Sequence, residues 1–347
     1  MEGFLKDIKI PKLDENMRSH AYGRWVSLSK NEKSLGELEH IVAMLCAMTG
    51  KMPEKYKKTM ILIAGDHGIA RYGVSNFPQE VTVQMIEGYL RASAGANVLA
   101  RHAGLNDADI FIVDIGVKVD LPEHPQLINK KIAYGTEDFT KGPAMTRENA
   151  LRSIKAGFDV ANMCIDDGYR MLILSEMGIG NTTASAAIAS VFTGLAPEKT
   201  VGRGTGIGDN RLVIKQQVVR KGLEINQPTV RDALGVLAKV GGYEFGGLAG
   251  VILAGAARRV PVFIDGVNAT ASALIAWGLC PNCKDYMLAS HLSAEIAHSS
   301  MLALLGLKPV LTANMRLGEG TGASVFIRLL DATIAVFQKD KQTEVIL

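Results

Sequence analysis

The chain has 347 residues, 48% of them hydrophobic and 21% charged, with a formal net charge of +3. This composition excludes a disordered chain, and the near-balanced charge excludes the basic surface of a nucleic-acid binder. The length exceeds what one hydrophobic core usually fills, so a large domain with a smaller satellite is expected.

Met1-Glu2-Gly3-Phe4-Leu5-Lys6-Asp7 carries acids where a signal peptide has a basic start. No run is long enough to be expected in a membrane, and the protein reads as cytoplasmic. Leu35, Leu38, Ile41, Leu45 and Met48 have helical spacing. Residues 1–58 are therefore expected to form a small helical domain, joined by a C-terminal helix over 323–347. The cluster Lys55, Lys57 and Lys58 reads as a solvated helix end.

Residues 59–322 alternate short apolar runs with helical patterns. The runs are Met60 to Ala64, Ile110 to Val113, Met171 to Leu174, Val260 to Ile264 and Met287 to Ala289. Continuous apolar runs fit strands buried on both faces of a parallel sheet. Helices are expected over Arg147 to Asp166, Ile214 to Leu223, Thr229 to Lys239, Gly247 to Arg258 and Thr321 to Phe337. The fold class is α/β, a three-layer parallel sheet flanked by helices. Its site belongs beyond the C-terminal strand ends.

Three glycine-rich clusters are candidates, though the second, Gly202 to Gly206, does not clearly follow a strand. Glu176-Met177-Gly178-Ile179-Gly180-Asn181-Thr182-Thr183 precedes an Ala-rich helix that Asn181 or Thr182 could cap. It fits an anion at a helix N-terminus, or equally a plain βα turn. Gly202-Arg203-Gly204-Thr205-Gly206, with Lys215 beyond, lacks both the Walker and the dinucleotide spacing. A lone lysine of this kind is usually at the surface. Leu317-Gly318-Glu319-Gly320-Thr321-Gly322 exposes a carboxylate before a long apolar helix. Taken alone, an acid beside a helix N-terminus is its simpler account.

Other clusters carry less. Gly65-Asp66-His67-Gly68 reads as a structural hydrogen-bonded pair, because no further ligand spacing supports a metal. Cys280-Pro281-Asn282-Cys283 is a single CxxC and favours a loop pair over a redox dithiol or zinc site. Asp166-Asp167 ends a helix without a Gly-Thr loop, unlike the acidic pair of pyrophosphate-dependent phosphoribosyltransferases.

Taken together in chain order, the clusters resemble the nicotinate-nucleotide–dimethylbenzimidazole phosphoribosyltransferase family of cobamide assembly. The resemblance runs through Ser34-Leu35-Gly36-Glu37-Leu38-Glu39, Gly65 to Gly68, Val74 to Thr82, Asn97-Val98-Leu99-Ala100 and Glu176 to Thr183. It continues through Gly202 to Gly206, Val240 to Glu244, Asp265-Gly266, Ser290 to Glu295 and Arg316 to Gly322. One departure is Asn31-Glu32-Lys33, where the family often has Pro-Pro-Gly.

The resemblance implies phosphoribosyl transfer from nicotinate mononucleotide to an aromatic base, with inversion, no metal and no cofactor. Glu319 matches the family's catalytic base. Glu176, Gly178, Asn181, Thr182, Gly202, Gly204, Lys215, Ser293 and Gly320 are implied on the donor ribose and phosphate. Phe77, Pro78, Met85, Met177 and Leu317 are implied at the acceptor. The resemblance also implies a dimer, either with itself or with a paralogue; a subunit active only with such a partner is the alternative reading. A dinucleotide-dependent oxidoreductase lacks its glycine spacing here. Benzimidazole, purine and phenolic acceptors all remain open.

Overall fold

The computed structural model describes residues 3–28 and 30–339. Six strands form one parallel sheet: β1 (Lys58–Gly65), β2 (Ile110–Gly116), β3 (Leu127–Asn129), β4 (Met171–Met177), β5 (Val262–Ile264) and β6 (Met287–Ala289). Their order is β3-β2-β1-β4-β5-β6. Met60 of β1 lies opposite Ile110 of β2 on one side and Ile173 of β4 on the other. Every residue of β1 and β4 is buried, which is why their sequences are continuously apolar instead of alternating. The chain winds one way from β1 and the other way from β4. The crevice between those two strands, at their C-terminal ends, is where such sheets take ligands.

Helices cover the sheet. The helix Arg147–Asp166 packs on Tyr243–Ala257 through small residues. A Cβ on Gly157 would lie 1.8 Å from the Gly247 carbonyl oxygen, so only glycine permits that approach. The scarcity of aromatics thus has a packing consequence.

Two N-terminal helices, Glu15–Ser27 and Glu37–Thr49, meet the far end of the helix Thr321–Gln338. Trp25 is buried edge-on against Phe337, with ring centroids 4.8 Å apart, and its indole N–H donates to the Glu39 carbonyl. Arg24 Nε donates to the Phe337 carbonyl at 2.8 Å. Trp25 and Leu45 belong to the same apolar core as Met60 and Leu174 of the sheet. The expected C-terminal helix starts at Thr321, and its reach beyond residue 339 falls outside the described residues.

Several local expectations need correction. Lys55, Lys57 and Lys58 do not end a helix of their own: the first two precede β1, and Lys58 opens it, is buried, and pairs with Asp331 at 2.8 Å. Lys57 lies over the Tyr169 ring. The helix expected from Thr229 starts at Ala233, because Asp232 caps it by accepting from Gly235 N. The run from Val260 is strand only from Val262, since Pro261 precedes the ladder. The helix expected over Ile214 to Leu223 is longer, Asp209–Asn226. Thr321–Gln338 is, by length and composition, apolar enough to cross a membrane, contrary to expectation; more than half of it is buried in the fold.

Candidate active site

A cavity of about 610 Å³ opens at the C-terminal ends of the central strands. One end is apolar. Phe77, Val81, Met85, Met177, Ile179 and Leu317 line it. Val81 and Met85 share a face of the helix Val81–Leu90, one turn apart, and Tyr89 follows them on that face. Pro78 does not line the cavity; its carbonyl accepts from Val81 N in the turn that starts this helix. Phe77 and Leu317 are more than half exposed and form the rim.

The other end is polar and assembled from four loops. After β4, Gly178 leads into the helix Asn181–Thr193, whose cap position is taken by Gly180, not by Asn181 or Thr182 as expected. The Asn181 amide is therefore free to donate to Glu176 Oε2. Thr182 Oγ1 accepts from Lys215 Nζ at 2.7 Å, and the same ammonium donates to the Gly202 carbonyl at 3.2 Å. Lys215 lies inside the helix Asp209–Asn226 and is completely buried, not at the surface. Burial lowers its pKa to about 8, against the opposing charge of Glu295. Gly204 N donates to Glu295 Oε1 at 2.9 Å, and a Cβ on Gly202 would collide with that carboxylate.

Ser293 is held by a fixed relay. Its backbone N–H donates to His298 Nδ1 at 2.8 Å, so the imidazole carries its proton on Nε2. Nε2 then donates to Thr270 Oγ1, whose hydroxyl donates to the Gly266 carbonyl. Burial, assisted by His291, pushes His298 down to about 3, so it stays neutral and the relay keeps its direction.

Glu319 lines the same cavity. Gly318, Glu319 and Gly320 have φ of 78°, 60° and 74°, three successive left-handed residues. A non-glycine residue there costs about 1–2 kcal/mol, and the turn is held by tertiary contacts. Asp265, just after β5, accepts from Gly320 N at 3.2 Å and from Ala323 N at 2.9 Å. Gly320 faces Met60 and Ser175 and does not line the cavity. Tyr89 Oη donates to Glu319 Oε2. Burial raises the Glu319 carboxyl, Tyr89 lowers it, and Asp265 raises it. Glu176 is pushed well above the carboxylate range, first by burial; the Asn268 amide opposes this, while Glu319, Glu244 and Asp265 add to it.

The structure thus brings Glu319, Glu176, Gly178, Asn181, Thr182, Gly204, Ser293, Phe77, Met85, Met177 and Leu317 onto one cavity, with Gly202 and Lys215 directly behind it. Sequence reasoning missed Tyr89 and Asn268 and gave Asp265 and Glu295 no role. Asn268 lines the cavity with a buried Oδ1 that has no hydrogen-bond partner. Asp66 and His67 are both engaged, but not with each other. Asp66 accepts from Thr82 and Lys118, and His67 Nε2 meets Glu244 at 2.6 Å. Cys280 and Cys283 are free thiols beside a 3₁₀ turn, and burial raises both.

The comparisons match the chain and its fold. A phosphoribosyltransferase family model matches residues 10–345. The nicotinate-nucleotide–dimethylbenzimidazole phosphoribosyltransferase of Chloroflexus aggregans is 48% identical over 331 residues, covering 95% of this chain and 93% of its own. The enzyme of that name from Geobacter sulfurreducens is 46% identical over 329 residues, 94% of this chain and 93% of its own. A crystal structure of the Thermus thermophilus enzyme superposes with a TM-score of 0.88 at 38% identity, covering 94% of this chain and 97% of that one. With these matches over nearly the whole chain and the same fold, the chain belongs to the nicotinate-nucleotide–dimethylbenzimidazole phosphoribosyltransferase family and is a pentosyltransferase.

Proposed function

We propose that the chain transfers the phosphoribosyl group of nicotinate mononucleotide to a flat aromatic acceptor, forming an α-riboside 5′-phosphate and nicotinate for cobamide assembly. One observation carries this: Glu319 lines one cavity with Glu176, Thr182 and Ser293, which suit a phosphorylated riboside, and with Phe77, Met85 and Met177, which suit a ring. The acceptor attacks C1′ from the face opposite nicotinate. The C1′–N bond breaks, and its electron pair neutralises the pyridinium nitrogen, so departure needs no acid. Glu319 takes the acceptor's proton, and its raised carboxyl suits a general base.

Thr182 and Ser293 hold the 5′-phosphate, aided by backbone at Gly178, Gly202 and Gly204, with the Lys215 ammonium behind Thr182 supplying its positive charge. Glu295 must release Gly204 N–H for the last contact. Glu176, Asn181 and Asn268 face the ribose hydroxyls, which would satisfy the unpartnered Asn268 Oδ1. Gly320 acts through the turn it shares with Glu319. Phe77, Pro78, Met85, Met177 and Leu317 form or support the acceptor wall.

The lining side chains of that wall offer no hydrogen bond. A purine would bury ring nitrogens unpaired, at about 1–3 kcal/mol each. Benzimidazoles and phenols, with one reactive N–H or O–H aimed at Glu319, fit better. The dimer belongs to the same proposal, since exposed Phe77 and Leu317 at the rim offer a second subunit a place to close the pocket.

The test is a panel of benzimidazoles, phenols and purines incubated with nicotinate mononucleotide, with products read by mass and the chain assayed alone and with any paralogue. Nicotinate release with benzimidazole or phenol, and competition between them, is expected. No release with any acceptor under either condition would overturn the reading.

A further inference from the structure

The helix Val81–Leu90 carries Val81 and Met85 into the acceptor wall, and one turn further it carries Tyr89. Tyr89 is 1% exposed, packed among Ile86, Met177 and Ile179, and the Asn97 amide donates to its carbonyl. Its hydroxyl reaches across the cavity wall to Glu319, 230 residues away in sequence. We infer that Tyr89 is a positioning residue for the base: it holds Glu319 Oε2 and so leaves Oε1 to take the acceptor's proton. The inference rests on the reading of Glu319 as base.

Three features support it. Glu319 sits in a left-handed turn with glycine on either side, so its backbone alone does not fix the carboxylate. The other groups acting on Glu319 and Tyr89 are acids: Asp265 after β5 and Glu176 at the end of β4, with Glu244 behind Glu176. Tyr89 is thus the hydrogen-bond donor that offsets them. Burial and the Glu319 charge keep the phenol itself protonated, so it remains a donor wherever the base is ionised.

The sign follows directly. A donor favours the ionised carboxylate, so removing it makes Glu319 harder to ionise. A base must be ionised to act, and the acid limb of kcat should move to higher pH. At saturating donor and acceptor, with an acceptor that does not titrate in the range, kcat reports the bound complex. In Tyr89→Phe, the rate at the foot of the acid limb should fall roughly three- to tenfold relative to the plateau. Replacing Tyr89 with 3-fluorotyrosine, a stronger donor of nearly the same shape, should move the limb the opposite way. Added to Glu319→Gln, the Tyr89→Phe change should alter residual turnover by less than about twofold.

A uniform loss at every pH, with the limb unmoved in both Tyr89 variants, would make Tyr89 a packing residue and overturn the inference. Wild-type turnover in Glu319→Gln would instead overturn the reading of the base. If Tyr89→Phe melts too low to assay, the fluorotyrosine limb decides alone, and an unmoved limb there overturns the inference.

Discussion

At the donor end Lys215 and His298 are fully buried, and their hydrogen bonds are committed to Thr182, Gly202, Ser293 and Thr270. At the acceptor end Phe77 and Leu317 are more than half exposed, and the wall lacks polar side chains. Polar groups held in place before binding offer one fixed geometry that a ligand must match. An apolar wall with two methionines adapts to rings of different outline. On the proposed function, the contrast teaches that one half of the cavity fixes what is donated, while the other leaves open what receives it.

The largest effect expected from breaking this contrast lies at the donor end. Lys215→Ala should raise the donor KM by about 10- to 100-fold, since it removes the charge behind the phosphate site and the charge-assisted hydrogen bond that fixes Thr182, worth about 1.5–3 kcal/mol, and leave the acceptor KM within a few-fold. Steady-state kinetics with each substrate varied would check this. The pH dependence has a definite sign. With its pKa lowered to about 8, Lys215 loses its charge as pH rises through that value, so donor affinity of the free enzyme should weaken above it.

Next in size is the relay behind Ser293. His298→Asn should raise the donor KM about tenfold and spare the acceptor. The neutral histidine also carries a stability signature. Its folded pKa, about 3, lies below the ordinary 6.5, so the unfolded chain binds the proton first. Stability should therefore fall as pH drops from 6.5 toward 3, and the variant should lose part of that slope in pH-dependent melts. The smallest effect belongs to the acceptor end. Met85→Ala should raise the acceptor KM roughly three- to tenfold and change the ranking of acceptors, with the donor KM unmoved. A matching rise in donor KM would mean that the two ends are not independent.

The sequence made the donor end more legible than its supports. Buried strands announced themselves as apolar runs, and glycines beside Glu176, Gly204 and Glu319 marked their loops. β3 has only three residues between Pro-rich turns, too few to show a pattern. Lys215 resembled a surface lysine because its partners are Thr182, 33 residues before it, and a backbone carbonyl. Tyr89 resembled core, since a tyrosine on an apolar helix face gives no sign that its hydroxyl meets a carboxylate 230 residues on. Asp265 was noticed only as part of a motif; its caps on Gly320 and Ala323 exist once β5 and the last helix are adjacent. Long-range hydrogen bonds leave no periodic trace, and these were the contacts missed.

The most direct test of the central claim compares Glu319→Gln with the unaltered chain, measuring donor binding by calorimetry and acceptor-dependent nicotinate release by rapid quench. The variant should bind nicotinate mononucleotide within about twofold and lose roughly 10²–10⁴ in kcat. Nicotinate release at the unaltered rate, or a loss explained wholly by weaker donor binding, would contradict the assignment of Glu319 as the base.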